Sequence, residues 1–239
     1  MNNPLILHIE TATDICSVAI SEGDQQLASV ESGPERSHAT LLNSFIRKCL
    51  KECGKELQQI DAVAVSKGPG SYTGLRIGVS TAKGIAYALQ KPLLSAGTLE
   101  SMAYGATSHG EIRDLILQFG SQLILCPMLD ARRMEVYSGF FTRELEVVRA
   151  VSADVVDENS FDEILEKNHT CFFGNGAEKC EEVLKHPNAH FIKGFNPSAS
   201  HMINPVLDRF KKHLHEDVAY FEPFYLKDFI ATTPKKKVL

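Results

Sequence analysis

The sequence lacks the patterns that mark several classes of protein. Its six cysteines form no Cys-x-x-Cys pair, and its nine histidines include no His-Glu-x-x-His motif. No stretch approaches the roughly 18 apolar residues that a membrane span needs, and the apolar run Leu5–Leu7 is too short for a signal peptide. We therefore expect a cytoplasmic protein with reduced thiols, no membrane contact and no bound metal.

An excess of basic residues is also missing. The chain has 25 lysines and arginines against 30 aspartates and glutamates, a net charge of −5. A protein that clamps nucleic acid by itself normally presents a basic face. We therefore expect contact with RNA only as part of a larger complex.

Complete nucleotide-binding motifs are missing as well. Gly68, Gly70 and Gly74 miss the G-x-G-x-x-G spacing by one residue, and no Lys-Ser/Thr pair follows as a Walker A loop requires. Nothing resembles the G-x-S-x-G turn that carries the nucleophile of α/β-hydrolases either.

The residues that are present centre on one stretch, 61–92. An apolar strand at 62–65 leads into the glycine-rich turn 67–71, and a helical pattern over 73–89 ends before Pro92. A strand, a glycine turn and a helix N-terminus can cradle an anion, because backbone N–H groups point out of the turn. The candidate anion or nucleotide contacts are Thr11, Thr13, Gly70, Ser71, Thr73 and Arg76.

Small residues recur along the helix that follows the turn. Gly74, Gly78, Ala82 and Ala86 are four residues apart and share one face. Each interior glycine costs about 1 kcal/mol relative to alanine, so another backbone must approach closely. The approaching element is either this chain's own sheet or a helix of a partner, and the pattern alone leaves both open.

The order of predicted elements suggests two similar halves. Three antiparallel strands precede an alternation of helices and strands up to residue 106, which is the ribonuclease-H-like order, and residues 107–239 repeat it. We expect an α/β protein with two ribonuclease-H-like subdomains, 1–106 and 107–239, as in actin-like ATPases. Glu10 ends the first strand, where those ATPases carry an aspartate; we read it as a carboxylate that closes the hairpin.

The stretch from Asp61 to Gly78, with Ala82-Lys83-Gly84, resembles the signature of the TsaB (YeaZ) family. Three further segments agree: LHIETAT followed by CSVAI near the start, Ser37-His38 before an apolar helix, and LDARR with EVY at 129–137. The tail at 223–227 also resembles that family. The resemblance implies a component of the machinery that makes N6-threonylcarbamoyladenosine at position 37 of tRNAs reading codons that begin with A.

The resemblance also implies that this component is not itself an enzyme. The catalytic paralogue TsaD carries a metal-binding H-x-E-G-H segment, and the corresponding residues here run from Thr98 to Met102, with only Glu100 kept. Threonine and methionine are poor ligands for a hard or borderline metal. The alternative is an independent actin-like ATPase or metallopeptidase-like enzyme.

The implied role is that of a scaffold. A TsaB-like chain binds TsaD through helices 37–53 and 73–89, helps to recruit the ATPase TsaE, and pairs with itself when alone. It holds no cofactor by itself, although ATP or ADP could bind at its interface with TsaD. The implied contact residues are Leu41, Leu42, Phe45, Gly74, Leu75, Gly78, Val79, Ala82 and Ala86.

Overall fold

A computed structural model describes residues 3–33 and 38–227 of the 239-residue chain. Two five-stranded mixed sheets, each covered by helices, account for most of this part of the chain. The predicted α/β class and its two ribonuclease-H-like sheets are confirmed. No helix in residues 3–33 and 38–227 is long and apolar enough to cross a membrane.

The first sheet has the strand order β3-β2-β1-β4-β5. Strands β1, β2 and β3 form an antiparallel meander, whereas β4 pairs in parallel with β1, and β5 in parallel with β4. All six residues of β1 are buried, as expected for a central strand that is covered on both faces. The strands are β1 Leu5–Glu10, β2 Ser17–Glu22, β3 Gln25–Glu31, β4 Ala62–Ser66 and β5 Leu93–Ala96.

Helices α1 (His38–Cys53) and α2 (Tyr72–Leu89) cover one face of this sheet. Both helices agree with the apolar periodicity of the sequence. Leu42, Ile46 and Cys49 of α1 pack with Val79 of α2 on the same core. Ser37, a suitable N-cap residue before this helix in the sequence, lies outside the described residues.

The second sheet repeats this arrangement with the order β10-β9-β6-β7-β8. One of its faces packs against α3 and α4, and the other packs against α5 and α6. Its strands are β6 Leu123–Asp130, β7 Glu135–Thr142, β8 Val147–Val155, β9 His169–Phe173 and β10 Ala189–Ile192. Its helices are α3 Thr98–Ala106, α4 Gly110–Phe119, α5 Asp162–Leu165 and α6 Ala177–Cys180.

Residues beyond the second sheet return to the first. A 3-10 turn at Ala199–Met202 and helix α7 (Ile203–Lys211) bury Met202 and Val206 against the free face of the first sheet. The first sheet is therefore covered on both faces, but one cover comes from the far end of the chain. The division into subdomains 1–106 and 107–239 was drawn from the order of elements along the chain. It stays a prediction.

Apolar spacing in the second half predicts a strand over 144–151 and helices over 177–184 and 200–215, and these boundaries were wrong. Strand β8 begins at Val147, because Leu145 adopts a left-handed φ of 71° in the preceding turn. The last helix ends at Lys211, and His213 follows with a φ of 55°. Helix α6 has only four residues. At Leu145 and His213 the turn geometry, which apolar spacing does not report, decides the boundary.

Candidate functional site

The first turn of the chain, 11–14, packs directly against the glycine-rich turn. Ser71 donates its backbone N–H to the Ala12 carbonyl oxygen at 2.6 Å. A Cβ on Gly70 would stand 2.4 Å from that same oxygen, so only glycine fits there. The Ser71 side chain caps α2 by accepting the Gly74 N–H at 3.3 Å.

At the N-terminus of α2, some of the backbone N–H groups that could bind an anion are already hydrogen-bonded within the protein. The Ser71 and Gly74 N–H groups are bound within the chain, and Thr11 is fully buried. Thr13 accepts the Ile15 N–H at 3.3 Å, and Thr73 is exposed on the first turn of α2. The structure brings Thr11, Gly70 and Ser71 together, but as packing partners; their contact with an anion or nucleotide stays a prediction.

Arg76 lies one turn further along α2 and contacts the tail. Its Nε donates to the Tyr225 hydroxyl at 3.1 Å, and its guanidinium carbon lies 4.2 Å from the centre of the Tyr72 ring. Phe224 donates its N–H to the Lys67 carbonyl oxygen at 2.7 Å. The tail therefore covers one side of the glycine-rich turn, which a sequence pattern could not show.

Glu10 ends β1 as a buried carboxylate. Its Oε1 accepts the Ala12 N–H at 2.7 Å and the Ser66 hydroxyl at 2.8 Å, while Oε2 has no hydrogen-bond partner among the described residues. Burial raises its pKa to about 7, although these two hydrogen bonds oppose the rise. Glu10 therefore closes the first turn, as the sequence suggested.

The small-residue face of α2 points inward. A Cβ on Gly74 would stand 2.1 Å from the Thr11 carbonyl oxygen, and one on Gly78 would stand 2.2 Å from the Thr11 hydroxyl oxygen. The two alanines of that face lie in the core of the first sheet. The close approach at Gly74 and Gly78 is thus made by this chain's own first turn, and contact of this face with a partner helix stays a prediction.

Most of the other predicted contact residues are also buried. Leu42, Leu75 and Val79 are each less than 5% exposed, whereas Leu41 and Phe45 are half-buried on the flank of α1. Only these last two can touch another molecule without rearrangement. Contact with a partner remains untested for the whole set.

The outward side of α2 carries a different series of small residues. Ser80, Gly84 and Ala88 are exposed, and no atom of the described residues outside the local helix lies within 4 Å of the point where a Cβ on Gly84 would stand. Gly84 thus lowers helix stability by about 1 kcal/mol relative to alanine, and packing within 3–33 and 38–227 gives no reason for it. The sequence shows the same spacing for this series, but only the structure distinguishes the outward series from the inward one.

The segment 98–102, which the resemblance matches to the metal-binding residues of TsaD, offers no ligand set. Thr98 and Met102 are fully buried in α3, and the Met102 side chain belongs to the core of the second sheet. Both oxygens of Glu100 accept hydrogen bonds from Arg209, at 2.8 and 2.9 Å. The residues present therefore do not fit the metal that the paralogue implies.

Histidines elsewhere do not supply a substitute. No group of three or more His, Cys, Asp or Glu residues within 3–33 and 38–227 could hold a metal ion. Sequence reasoning missed one pair: His169 Nδ1 and His190 Nε2 lie 3.1 Å apart, beside the Phe119 ring. It also missed that His186 and His190 are four residues apart in the sequence. These two histidines make different contacts: His186 accepts the Asn188 N–H, whereas His190 lies beside His169.

Comparison with known proteins assigns the chain to a family. A family model described as TsaD, tRNA N6-adenosine threonylcarbamoyltransferase, matches residues 32–170, more than half of the chain. The tRNA threonylcarbamoyladenosine biosynthesis protein TsaB of Escherichia coli K12 is 35% identical over 139 residues, which are 58% of this chain and 55% of that protein. The Bacillus subtilis 168 protein of the same name is 30% identical over 149 residues, 62% of this chain and 60% of that protein. The chain belongs to the TsaB (YeaZ) family.

Solved structures agree with this assignment. A Pseudomonas aeruginosa protein described as similar to the peptidase YeaZ superimposes with a TM-score of 0.80 at 25% identity, covering 94% of this chain and all of that one. The sequence matches to the curated TsaB proteins span little more than half of those proteins' length. The predicted family and fold are confirmed, and the activity and partners are treated below as proposals.

Proposed function

We propose that this protein is a non-catalytic scaffold in the synthesis of N6-threonylcarbamoyladenosine on tRNA. In this proposal it binds TsaD, helps to recruit TsaE, and meets tRNA only within the complex. ATP or ADP would bind at the interface with TsaD and not in the chain alone. Self-pairing of the isolated chain is the second assembly that the family resemblance implies.

The observation that carries the proposal is the state of the segment 98–102. In this TsaD-like fold, two positions that would hold metal-binding histidines are a buried threonine and a core methionine. The glutamate between them is bound by Arg209 through two hydrogen bonds. A fold that keeps the architecture of a transferase but fills its metal position with core residues supports a structural role.

The outward surface of α1 and α2 supports the choice of docking site. Half-buried Leu41 and Phe45 of α1 and Ile77 and Ile85 of α2 all pack against the first core and leave part of their surface open. Gly84, next to Ile85 in the chain, is exposed and has open space at its α-carbon. A helix of another protein can approach this surface closely, which gives the glycine a purpose that internal packing does not.

Co-expression with TsaD followed by size-exclusion chromatography tests the proposal. We expect the two chains to co-migrate, and depletion of this protein to remove threonylcarbamoyladenosine from tRNA, as measured by mass spectrometry. Independent elution of the two chains would contradict the scaffold role. Unchanged tRNA modification after depletion would contradict the link to this pathway.

A substitution on the outward surface locates the contact. Gly84→Leu adds a good helix former in open space, so we expect a melting temperature no lower than that of the wild type and loss of co-migration with TsaD. Gly110→Leu, at a second glycine with nothing within 4 Å, is the matched control and should co-migrate normally. Co-migration of both variants would place the contact elsewhere.

The enzymatic alternative is tested by the isolated chain. An actin-like ATPase would hydrolyse ATP, and a metallopeptidase-like enzyme would contain stoichiometric metal. We expect neither in the purified protein, by phosphate release and by metal analysis. ATP turnover abolished by Glu10→Gln, or metal lost on changing a histidine, would favour the enzyme.

A further inference from the structure

Strand β8 forms one edge of the second sheet. It pairs antiparallel with β7, and no strand within residues 3–33 and 38–227 pairs with its other side. Its nine residues make it longer than the other edge strands β3, β5 and β10, which have seven, four and four. An unpaired edge presents a row of backbone N–H and C=O groups to which another extended chain can hydrogen-bond.

The edges of the first sheet are polar or covered, whereas β8 is neither. Strand β3 begins with exposed Gln25 and Gln26 and ends with exposed Glu31. The edge of β5 is met by the tail, because Glu216 donates its N–H to the Leu93 carbonyl oxygen at 2.8 Å. Strand β8 contains no lysine and no proline, the residues that natural proteins place on edge strands to prevent pairing.

Exposed valines lie along β8. Val147, Val148 and Val155 are 64%, 47% and 72% exposed, and they are three of the eight large apolar side chains that are exposed in the described ranges. The one basic residue of the strand, Arg149, is held by Asp154 of the same strand. An added strand would place its side chains beside these valines, so the edge offers apolar contact as well as main-chain hydrogen bonds.

Acidic residues frame this edge. Residues 143–158, which are β8 and the chain on either side of it, contain five acidic and two basic residues, a net charge of −3. Both basic residues are already in ion pairs within this segment. The three carboxylates outside those ion pairs are exposed, one before the strand and two after it: Glu146, Asp157 and Glu158.

We infer that the free edge of β8 takes an extended, basic segment of another protein as an added strand. Main-chain hydrogen bonds and the valines hold the segment, and lysine or arginine side chains meet the carboxylates at the two ends of the strand. A second copy would bring the same net charge of −3, because two-fold pairing places β8 against itself. RNA would bring phosphates to an acidic edge. The inference concerns the second sheet alone and does not rest on the proposed scaffold function.

The test titrates the isolated 239-residue chain with two synthetic nine-residue peptides. Valine alternates with lysine in one peptide and with glutamate in the other. We expect the lysine peptide to bind about tenfold more tightly at 50 mM NaCl, with a smaller ratio at 300 mM. We also expect slower hydrogen exchange at the backbone amides of β8, because amides that face solvent become hydrogen-bonded.

A pair of variants tests the role of the carboxylates. Glu146→Gln with Glu158→Gln removes one exposed charge at each end of β8. Glu111→Gln with Glu182→Gln makes the same change at exposed positions elsewhere in the second half and is the matched control. We expect the first variant to bind the lysine peptide about threefold more weakly than the wild type at 50 mM NaCl, and the control to bind like the wild type.

Each other outcome counts against the inference. Equal binding of the two peptides, or slower exchange only outside β8, would overturn it, as would wild-type binding by Glu146→Gln with Glu158→Gln. Tighter binding of the lysine peptide after Lys235, Lys236 and Lys237 are changed to glutamate would identify the chain's own end as the occupant. Dissociation of a dimer of this chain by the lysine peptide, measured by sedimentation, would identify a second copy as the occupant. Either result would show that the inference is wrong.

Discussion

The Thr11 carbonyl oxygen lies 2.1 Å from the point where a Cβ on Gly74 would stand. This contact fixes the distance between the end of β1 and the start of α2. Because a backbone carbonyl cannot move without shifting the first turn, the glycine is required by the fold itself. Gly84, ten residues later on the same helix, has no such neighbour among the residues that the structure describes.

The two glycines of α2 should therefore respond oppositely to alanine. Gly74→Ala forces a methyl group against the Thr11 carbonyl, and we expect a loss of about 1–3 kcal/mol in the free energy of unfolding. Gly84→Ala meets no atom and should raise it by about 1 kcal/mol. Urea denaturation of both variants measures the two changes. Equal changes of the same sign would show that the inward packing is wrong.

A third glycine, Gly105 near the end of α3, makes another close contact, with the 3-10 turn at Ala199–Met202. A Cβ there would stand 2.2 Å from Cδ2 of His201, whose ring stacks on the buried Phe195 at 5.1 Å. Gly105→Ala should lower the melting temperature, with a loss on the order of 1–2 kcal/mol. Gly110→Ala, in open space, is the control and should not destabilise the protein. A neutral Gly105→Ala would mean that the His201 ring moves aside freely.

Stability should depend on pH through Glu10. Its pKa rises from 4.5 in the unfolded chain to about 7 in the buried site, so the folded state keeps a proton that the unfolded state loses. This stabilisation is complete below about pH 4.5 and is lost as the pH rises through 7, a change on the order of 3 kcal/mol. Glu10→Gln removes this dependence. Between pH 5 and pH 8 the unfolding free energy of the variant should therefore rise relative to that of the wild type.

The measurement is the difference in unfolding free energy between the wild type and Glu10→Gln at each pH. The contributions of groups that titrate in both proteins cancel in this difference. Buried His8 and half-buried His201, with pKa values lowered by burial to about 3 and 4, act in the opposite sense, since their stabilisation is lost below pH 6.5. Both are kept in the variant. Glu158→Gln, at an exposed loop position, should follow the wild-type curve. A Glu10→Gln difference that stays constant with pH would mean that Glu10 is already ionised in the folded protein.

The tail should depend on Lys83. Its ammonium group donates to the Ala219 carbonyl at 3.1 Å and the Phe221 carbonyl at 2.9 Å. In Lys83→Met both carbonyls lose this donor, so we expect a loss of about 1 kcal/mol and faster proteolysis within 216–227. Lys48→Met removes a lysine of the neighbouring helix that makes a surface ion pair and should leave the proteolysis rate unchanged. Identical digestion of both variants would contradict this role.

Much of the fold follows from the sequence because the apolar pattern is strong where elements are long. The apolar periodicity predicts helices over 37–53 and 73–89, and the structure has helices at His38–Cys53 and Tyr72–Leu89. The boundaries around Leu145 and His213 depend on left-handed backbone conformations, which residue patterns do not specify. The return of α7 to the first sheet depends on contacts between residues more than 100 positions apart.

The sequence by itself determined the family, the order of strands and helices, and the presence of threonine and methionine at 98 and 102, because these are properties of residue identity and spacing. Only the tertiary structure decided which small-residue face of α2 is used inside the chain. Gly74 and Gly78 share a spacing of four with the pair Ser80 and Gly84, and the two pairs differ only in what stands opposite them. That neighbour is the first turn of the same chain for one pair and open space for the other, and its position is set by the packing of β1 against α2.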